Sequence, residues 1–208
     1  MASSASRFCS LAVSAAIGAG TLGGCAFSTR NATLIYPPAS SQGAVATAQA
    51  ATPPAPSGIT IAVLPFVDRR SDTTKVGQVR NTFGMKLAPI RTVNSVSVWV
   101  RDALALELRN AGYNAATSTT VPDSSLAIEG EILKAQADAY FTYGGEVELL
   151  VRLTKGGREL NRHSYAGNGS AGTSWSGTAK SYAQSLALAL ADALRQIVAD
   201  VGRATTSP

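Results

Sequence analysis

The side chains that could do chemistry are few in this chain. His163 is the only histidine, and the two cysteines, Cys9 and Cys25, both lie near the amino terminus. A transition-metal site would therefore have to rest on carboxylates. No serine stands in a Gly-x-Ser-x-Gly setting, and no Walker-type phosphate loop occurs. We predict a protein that is not an enzyme and that holds no metal ion or cofactor.

Carboxylates recur in pairs, the arrangement that acid–base work or cation binding would need. The pairs are Asp68 with Asp72, Glu129 with Glu131, and Glu146 with Glu148. The first pair brackets two arginines, so local ion pairing is the favoured interpretation. The members of each glutamate pair stand two apart in a predicted strand and share one of its faces. A solvated outer face of a sheet explains them, with an acidic cross-strand patch as the alternative.

Basic residues concentrate in one segment. Residues 68–91 contain six basic side chains and two acidic ones, in a chain whose formal net charge is +5. We predict a glycine-containing loop here that could bind a polyanion or a glycan. Its candidate binding residues are Arg69, Arg70, Lys75, Arg80, Lys86 and Arg91. The excess of charge is too small for a dedicated nucleic-acid binder, so no nucleic-acid partner is expected.

The amino terminus predicts secretion. Arg7 precedes an apolar run from Phe8 to Ala19, which at no more than about 15 residues is shorter than the roughly 20 of a membrane-spanning helix. The following Leu22-Gly23-Gly24-Cys25 resembles the lipobox of bacterial lipoproteins. That resemblance implies cleavage before Cys25 and attachment of two or three acyl chains to it. An ordinary signal peptide is the alternative, and the lack of an Ala-x-Ala site directly downstream argues against it.

Lipidation would fix the mature chain to a membrane. Each buried methylene contributes about 0.8 kcal/mol, so two or more acyl chains anchor stably where one does not. Ala26 occupies the position where an aspartate retains enterobacterial-type lipoproteins in the inner membrane, which points to the outer membrane, facing the periplasm. With Cys9 removed and Cys25 acylated, no thiol remains for disulfides, metal binding or nucleophilic catalysis.

The predicted organisation is a signal peptide at 1–24, the lipidated cysteine and a tether at 25–58, and one globular domain at 59–204. The tether is rich in proline, alanine and serine and cannot bury enough apolar surface to offset its ordering entropy. It would average about 30 Å as a coil and about 100 Å as extended polyproline. Within it, Thr33-Leu34-Ile35-Tyr36 could pair as an edge strand or contact a partner.

The first half of the domain predicts a strand and a helix. Ile59–Val67 is nearly all apolar, as in a strand buried on both faces, with Pro65 near its end because proline cannot donate to a ladder. Apolar residues recur at helical spacing from residue 96 to residue 111, after a cap at Asn94 or Ser95. Trp99 flanks this stripe. It is a candidate partner contact, although packing at the edge of the core is the favoured interpretation.

The second half predicts three strands and a helix. Alternating patterns near 126–133 and 146–153 lead through Lys155-Gly156-Gly157-Arg158 to a third strand at about 159–168. An alanine-rich amphipathic helix follows from 178 to 201. We therefore predict an α+β fold with a mostly antiparallel sheet, one strand and then a three-stranded meander, and two helices packed on one face.

Taken together, these features resemble the YajG family of bacterial lipoproteins. Beyond the lipobox and tether, the resemblance rests on Asp68-Arg69-Arg70 after a strand, on Trp99-Val100-Arg101-Asp102-Ala103-Leu104 leading to Gly112-Tyr113, and on the helix after Tyr165-Ala166-Gly167. It implies a location and a fold more than an activity. The order of elements is also similar to that of periplasmic lipoprotein domains that serve as accessory subunits of envelope machines.

Two functions follow from these expectations. The first is a non-catalytic accessory or scaffolding lipoprotein that docks an envelope protein partner. The second is binding of lipopolysaccharide phosphate or peptidoglycan through the basic segment at 69–91. Binding of a polyanion should weaken steeply with salt, because charges are screened over about 10 Å at 0.1 M. Formation of a homo-oligomer stays open in either case.

Overall fold

The computed structural model describes residues 28–36, 59–81, 83–120, 126–139, 142–173 and 178–206. The strands are β1 (Arg30–Ala32), β2 (Thr60–Asp68), β3 (Lys75–Arg80), β4 (Lys86–Thr92), β5 (Asn114–Thr117), β6 (Leu126–Ala139), β7 (Thr142–Lys155) and β8 (Arg158–Thr173), and the helices are α1 (Val96–Asn110) and α2 (Ala179–Thr206). The predicted α+β class is confirmed.

All of these strands belong to one branched sheet organised around β6. Along one edge β6 pairs antiparallel with β7 over its whole length, and β7 pairs antiparallel with β8. Along the other edge the first half of β6 pairs in parallel with β2, and its last residues pair in parallel with β3. β5 joins β2, while β4 and then β1 join β3. The predicted meander is thus part of a larger sheet of mixed direction.

Both helices pack on one face of the sheet, and the main hydrophobic core lies between them and the strands. The predicted stripe of α1 is buried, namely Val96, Val100, Ala103, Leu104 and Leu108. Ser95 is the N-cap, since its hydroxyl accepts a hydrogen bond from the Val98 amide at 3.4 Å. α2 buries its own stripe, and it continues to Thr206, past the predicted end at residue 201.

Small residues let α2 approach the strands closely. A Cβ atom on Gly167 of β8 would lie 2.1 Å from the carbonyl oxygen of Ala189 in α2, so packing requires a glycine there. Glycine and alanine have low strand propensity, which explains why we predicted that this strand ends near residue 168, whereas it ends at Thr173.

The basic segment at 69–91, predicted as a loop, forms β3 and β4. One of its glycines, Gly77, lies within β3, where a Cβ would be 2.6 Å from the carbonyl oxygen of Ala137 in β6, so this glycine allows two strands to meet. β2 likewise continues past Pro65 to Asp68. Its register against β6 shifts at this point, and a bulge is a position where a strand tolerates a residue without an amide hydrogen.

Candidate functional site

The segment at residues 30–36, which we call the arm, is built into the domain. Its strand β1 pairs in parallel with β4, with Arg30 opposite Ile90. Leu34 is 4% exposed and joins the core, whereas its neighbour Ile35 is 67% exposed. Burial of Leu34 offsets the entropy of ordering the arm. The predicted tether at 25–58 therefore contains a folded segment. The edge strand that we expected at residues 33–36 lies just before them, at Arg30–Ala32.

Hydrogen bonds of two side chains, Asn94 just before α1 and Tyr36 in the arm, hold the arm against α1. The Oδ1 atom of Asn94 accepts from the Leu34 amide, and its Nδ2 atom donates to the Leu34 carbonyl, both at 2.9 Å. One amide side chain thus satisfies both backbone groups of Leu34, as a neighbouring strand would. The Tyr36 hydroxyl donates to Glu107 Oε1 on α1 at 2.8 Å. Because Ser95 caps the helix, Asn94 is available to hold the arm.

The arm and α1 form the walls of a groove, which we call the arm groove. It has a volume of about 450 Å³ and is lined by Leu34 and Tyr36 on one side and by Val98, Asp102 and Leu106 on the other. Val98 is 45% exposed, which is high for an apolar side chain on a packed helix. Apolar surface rimmed by polar groups is typical of sites where another protein docks. Both partner contacts considered from the sequence, the apolar patch at 33–36 and Trp99, lie at this groove, but the groove itself depends on the fold and was not predicted.

Trp99 lies beneath the arm groove and is 5% exposed. The structure therefore places most of its indole in the core, in agreement with the favoured interpretation of packing at the core edge, and leaves only its edge available to a partner in the groove. Its Nε1 hydrogen is buried without an acceptor in the part of the chain that the structure describes. A buried donor that lacks an acceptor costs about 1–3 kcal/mol.

Arg70 and Asp68 form an internal ion pair. The Nε and Nη2 atoms of Arg70 donate to the two carboxylate oxygens of Asp68 at 2.9 and 2.7 Å, and both side chains are about nine-tenths buried. Arg70 also donates to the carbonyl oxygens of Thr73, Lys75 and Ala135. It therefore joins the loop before β3 to β6 and is turned away from any ligand in solution.

The other arginines of the predicted binding segment also contact carboxylates. Arg69 donates to Glu131 at 2.9 Å, Arg80 donates to both oxygens of Asp138 at 2.8 and 2.7 Å, and Arg91 lies 3.0 Å from Asp72. Of the two lysines, Lys86 is exposed and Lys75 is half-buried. Glu131 and Asp138 of β6 therefore offset part of the local charge excess, whereas Asp68 and Asp72 belong to the basic segment itself.

These contacts shift the pKa values of two carboxyl groups. The hydrogen bond from Arg69 lowers the pKa of Glu131, although partial desolvation opposes it. The pKa of Asp72 is lowered chiefly by its hydrogen bond with the Thr74 hydroxyl, with a smaller effect of Arg91. Both carboxylates are thus held in the ionised form, which suits ion pairing and not proton transfer at neutral pH.

The remaining predicted carboxylate pairs lie on the outer face of the sheet. Glu129 pairs with Arg152 across strands, and Glu146 pairs with Lys134. His163 is exposed on β8, with its ring edge-on to Tyr165 at 5.0 Å between centroids. Within the described ranges, no three histidine or carboxylate side chains come together as metal ligands would.

The loop between β3 and β4 displays two large apolar side chains. Phe83 is 83% exposed and Met85 is 59% exposed. We call residue 81 together with residues 83–85 the hairpin tip. The sequence does carry a signal for the tip, because a phenylalanine and a methionine stand close together between the polar residues Asn81 and Lys86.

Cys25, the predicted lipidation site, lies outside the described residues. Among the helices that the structure describes, none combines the length and the apolar character needed to cross a membrane.

Among known proteins, solved structures resemble this chain. No family model matches the chain, and no curated protein matches it. Two similar structures are a PelC dodecamer from Paraburkholderia phytofirmans, at 12% identity and a TM-score of 0.43 over 71% of this chain and 92% of that one, and the lipoprotein GNA1162 from Neisseria meningitidis, at 14% identity and a TM-score of 0.38 over 70% and 99%. Likeness at this level carries no argument about the present chain.

A closer likeness is to protein XCC0632 from Xanthomonas campestris, a DUF330 protein. The TM-score is 0.57 and the identity 14%, and the match covers 85% of this chain and 95% of that one. None of these three proteins carries the YajG name, so that resemblance stays a prediction. At this identity the comparison concerns the fold alone: the chain has the fold of XCC0632.

Proposed function

We propose that this chain is a non-catalytic accessory lipoprotein, anchored through Cys25 to the periplasmic face of the bacterial outer membrane, and that it docks an envelope protein partner in the arm groove. One observation carries the proposal. The arm that begins at Arg30, shortly after Cys25, also supplies one wall of the groove. The same segment would thus connect the docking site to the anchor.

The groove indicates the chemistry of the partner. Val98 and Leu106 offer an apolar strip along α1, and the exposed Asp102 lies between them on the same helix. An amphipathic segment with apolar anchors and a basic residue near Asp102 would complement this surface. The Asp102 carboxylate already lies 2.8 Å from Arg101, so the partner's charge would add to specificity more than to affinity.

The geometry favours docking over the alternative, binding of lipopolysaccharide phosphate or peptidoglycan by residues 69–91. Arg69, Arg70, Arg80 and Arg91 each hold a carboxylate. A phosphate would have to compete with those carboxylates and disrupt the loop before β3 in doing so. If the alternative is right, alanine at the exposed Lys86 should weaken binding to lipopolysaccharide, and the loss should disappear at high salt.

Site-specific photocrosslinking in intact cells tests the proposal. A photoreactive amino acid replaces Val98 in the arm groove, and the control replaces Leu160, which is similarly exposed but lies on β8. We expect one envelope protein to be captured from position 98 and not from position 160. Its identity must be confirmed by a reciprocal crosslink from the captured protein.

A second variant, which places a charge in the groove, completes that experiment. Leu106→Arg should abolish the adduct from position 98, because it places a cation in the apolar strip. Equal capture from positions 98 and 160, capture that survives Leu106→Arg, or an adduct only with lipid would contradict the docking function. A dimer of the chain itself as the adduct would identify the groove as an interface between copies.

A further inference from the structure

We propose that the hairpin tip contacts the lipid bilayer in which Cys25 is anchored. The inference rests on the proposed lipidation of Cys25 and adds what that function leaves open, namely the orientation of the domain. It also assigns a role to the exposed side chains of Phe83 and Met85.

Hydrogen bonds give the tip a defined conformation. The Oδ1 atom of Asn81 accepts from the amides of Phe83 and Met85 at 3.0 and 2.9 Å. The Gly84 amide donates to the Asn81 carbonyl at 2.9 Å, and Gly84 has a φ of 80°, which favours glycine. Arg80 donates to the Gly84 carbonyl at 3.0 Å while it also holds Asp138 of β6.

This order argues for a function of the tip. Single exposed apolar side chains are common, but Phe83 and Met85 are both large, stand on one short loop and are held there by an ordered backbone. The exposed Lys86 follows directly. Aromatic and aliphatic side chains beside a lysine are the composition of segments that enter the headgroup region of a bilayer.

The direction of β1 places the anchor at the same end of the sheet. β1 runs parallel to β4, with Arg30 opposite Ile90 and Ala32 opposite Thr92. Towards the amino terminus, β1 therefore points to Lys86, where β4 begins and the hairpin tip lies. The opposite end of β4 leads to Asn94 and the arm groove.

Chain length limits how far the tip can stand from the membrane. Cys25 precedes Arg30 by five residues, which reach at most about 18 Å when fully extended. The domain therefore lies much closer to the membrane than the about 30–100 Å that a tether unstructured from residue 25 to residue 58 would allow. With the acyl chains in the bilayer, the tip end of the sheet must lie close to the lipid surface. We therefore assign the tip to lipid, and the arm groove faces away from the membrane.

The cysteine content of the chain allows a direct test. Once the signal peptide is removed, Cys25 is the only cysteine, and acylation blocks its thiol. We would produce Met85→Cys and Val93→Cys from the full-length gene, reconstitute the mature proteins in phosphatidylethanolamine–phosphatidylglycerol vesicles, and attach an environment-sensitive maleimide dye. Val93 is the matched control, because it is 64% exposed at the opposite end of β4.

We expect the dye at position 85 to lose quenching by aqueous iodide and to be quenched by lipids that carry nitroxide on their acyl chains. The dye at position 93 should stay accessible to iodide. Adding Phe83→Asp to Met85→Cys should return the dye to water without changing the circular dichroism spectrum, because residue 83 is exposed.

Three results would overturn the inference. Iodide quenching at position 85 equal to that at position 93 would show that the tip stays in water. Shielding from iodide without quenching by the lipid nitroxide would assign the tip to a protein pocket or to a second copy of the chain. Labelling of the unmodified mature chain would show a free Cys25 thiol, so the anchor itself would fail, and this inference with it.

Discussion

Replacement of Leu34 by alanine should destabilise the whole domain, although residue 34 lies in a segment with the composition of a tether. Leu34 is 4% exposed within the main core, whereas Ile35 is 67% exposed. The two side chains have the same number of carbon atoms and adjacent positions. Ile35→Ala is therefore a matched control for Leu34→Ala.

The magnitude follows from burial. Leucine-to-alanine changes in protein cores cost about 2–5 kcal/mol, and the cost is lower where the site can relax. Leu34 borders the open arm groove, so we expect about 2–3 kcal/mol. With a urea m-value of about 2 kcal/mol/M, the midpoint of unfolding should fall by about 1–1.5 M. Ile35→Ala should change the free energy of unfolding by less than about 0.5 kcal/mol.

The assay is urea unfolding of the mature chain carrying Cys25→Ser, which keeps the protein out of membranes. Amide hydrogen exchange at Arg30–Ala32 reports on the arm itself and should accelerate in Leu34→Ala. Equal midpoints for Leu34→Ala and Ile35→Ala, with unchanged exchange in the arm, would refute the argument that the arm belongs to the cooperative unit.

Three further predictions concern the core. Gly167→Ala should lower the free energy of unfolding by at least about 2 kcal/mol, because its Cβ would collide with a carbonyl oxygen of α2. The control Gly144→Ala should fold normally, because nothing lies within 4 Å of the new Cβ. Urea unfolding of the two variants tests this difference. Arg70→Ala should cost about 3 kcal/mol, since it leaves a buried carboxylate unpaired, and the exposed Arg69→Ala should leave the unfolding midpoint nearly unchanged. Burial, with Tyr143 nearby, raises the pKa of Tyr182 to about 12, so the folded state keeps a proton that the unfolded state loses near pH 10. Stability should therefore fall between pH 10 and 12 and should fall less in Tyr182→Phe, as thermal unfolding across that range would show.

The predicted helices and the meander follow from local patterns. The apolar stripe from Val96 to Leu108 and the alternation around the Lys155–Arg158 turn depend on neighbours in sequence. The arm does not follow from such patterns. Its three-residue strand is stabilised by β4, and the side chain that holds Leu34 stands 60 residues away.

The candidate binding residues show that counting charges along the sequence has the same limit, because the partners of a charged side chain can be distant in sequence. Local counting suggested a free basic surface on residues 69–91. The carboxylates that engage Arg69 and Arg80 stand 62 and 58 residues further along the chain, on β6. Only the pairing of β6 with β2 and β3 brings them together. A charge excess in a segment therefore does not predict a free charge in the fold.

The most direct test of the account is the height of two positions above the bilayer. Donor dyes at positions 83 and 93 of the lipidated chain, with acceptors on lipid headgroups, report their distances by energy transfer. β4 rises about 3.4 Å per residue, so we predict that position 83 lies at the headgroups and position 93 about 20 Å farther out. Equal distances for the two positions, or both dyes beyond about 30 Å as a free tether would allow, would contradict an anchored domain that points its groove away from the membrane.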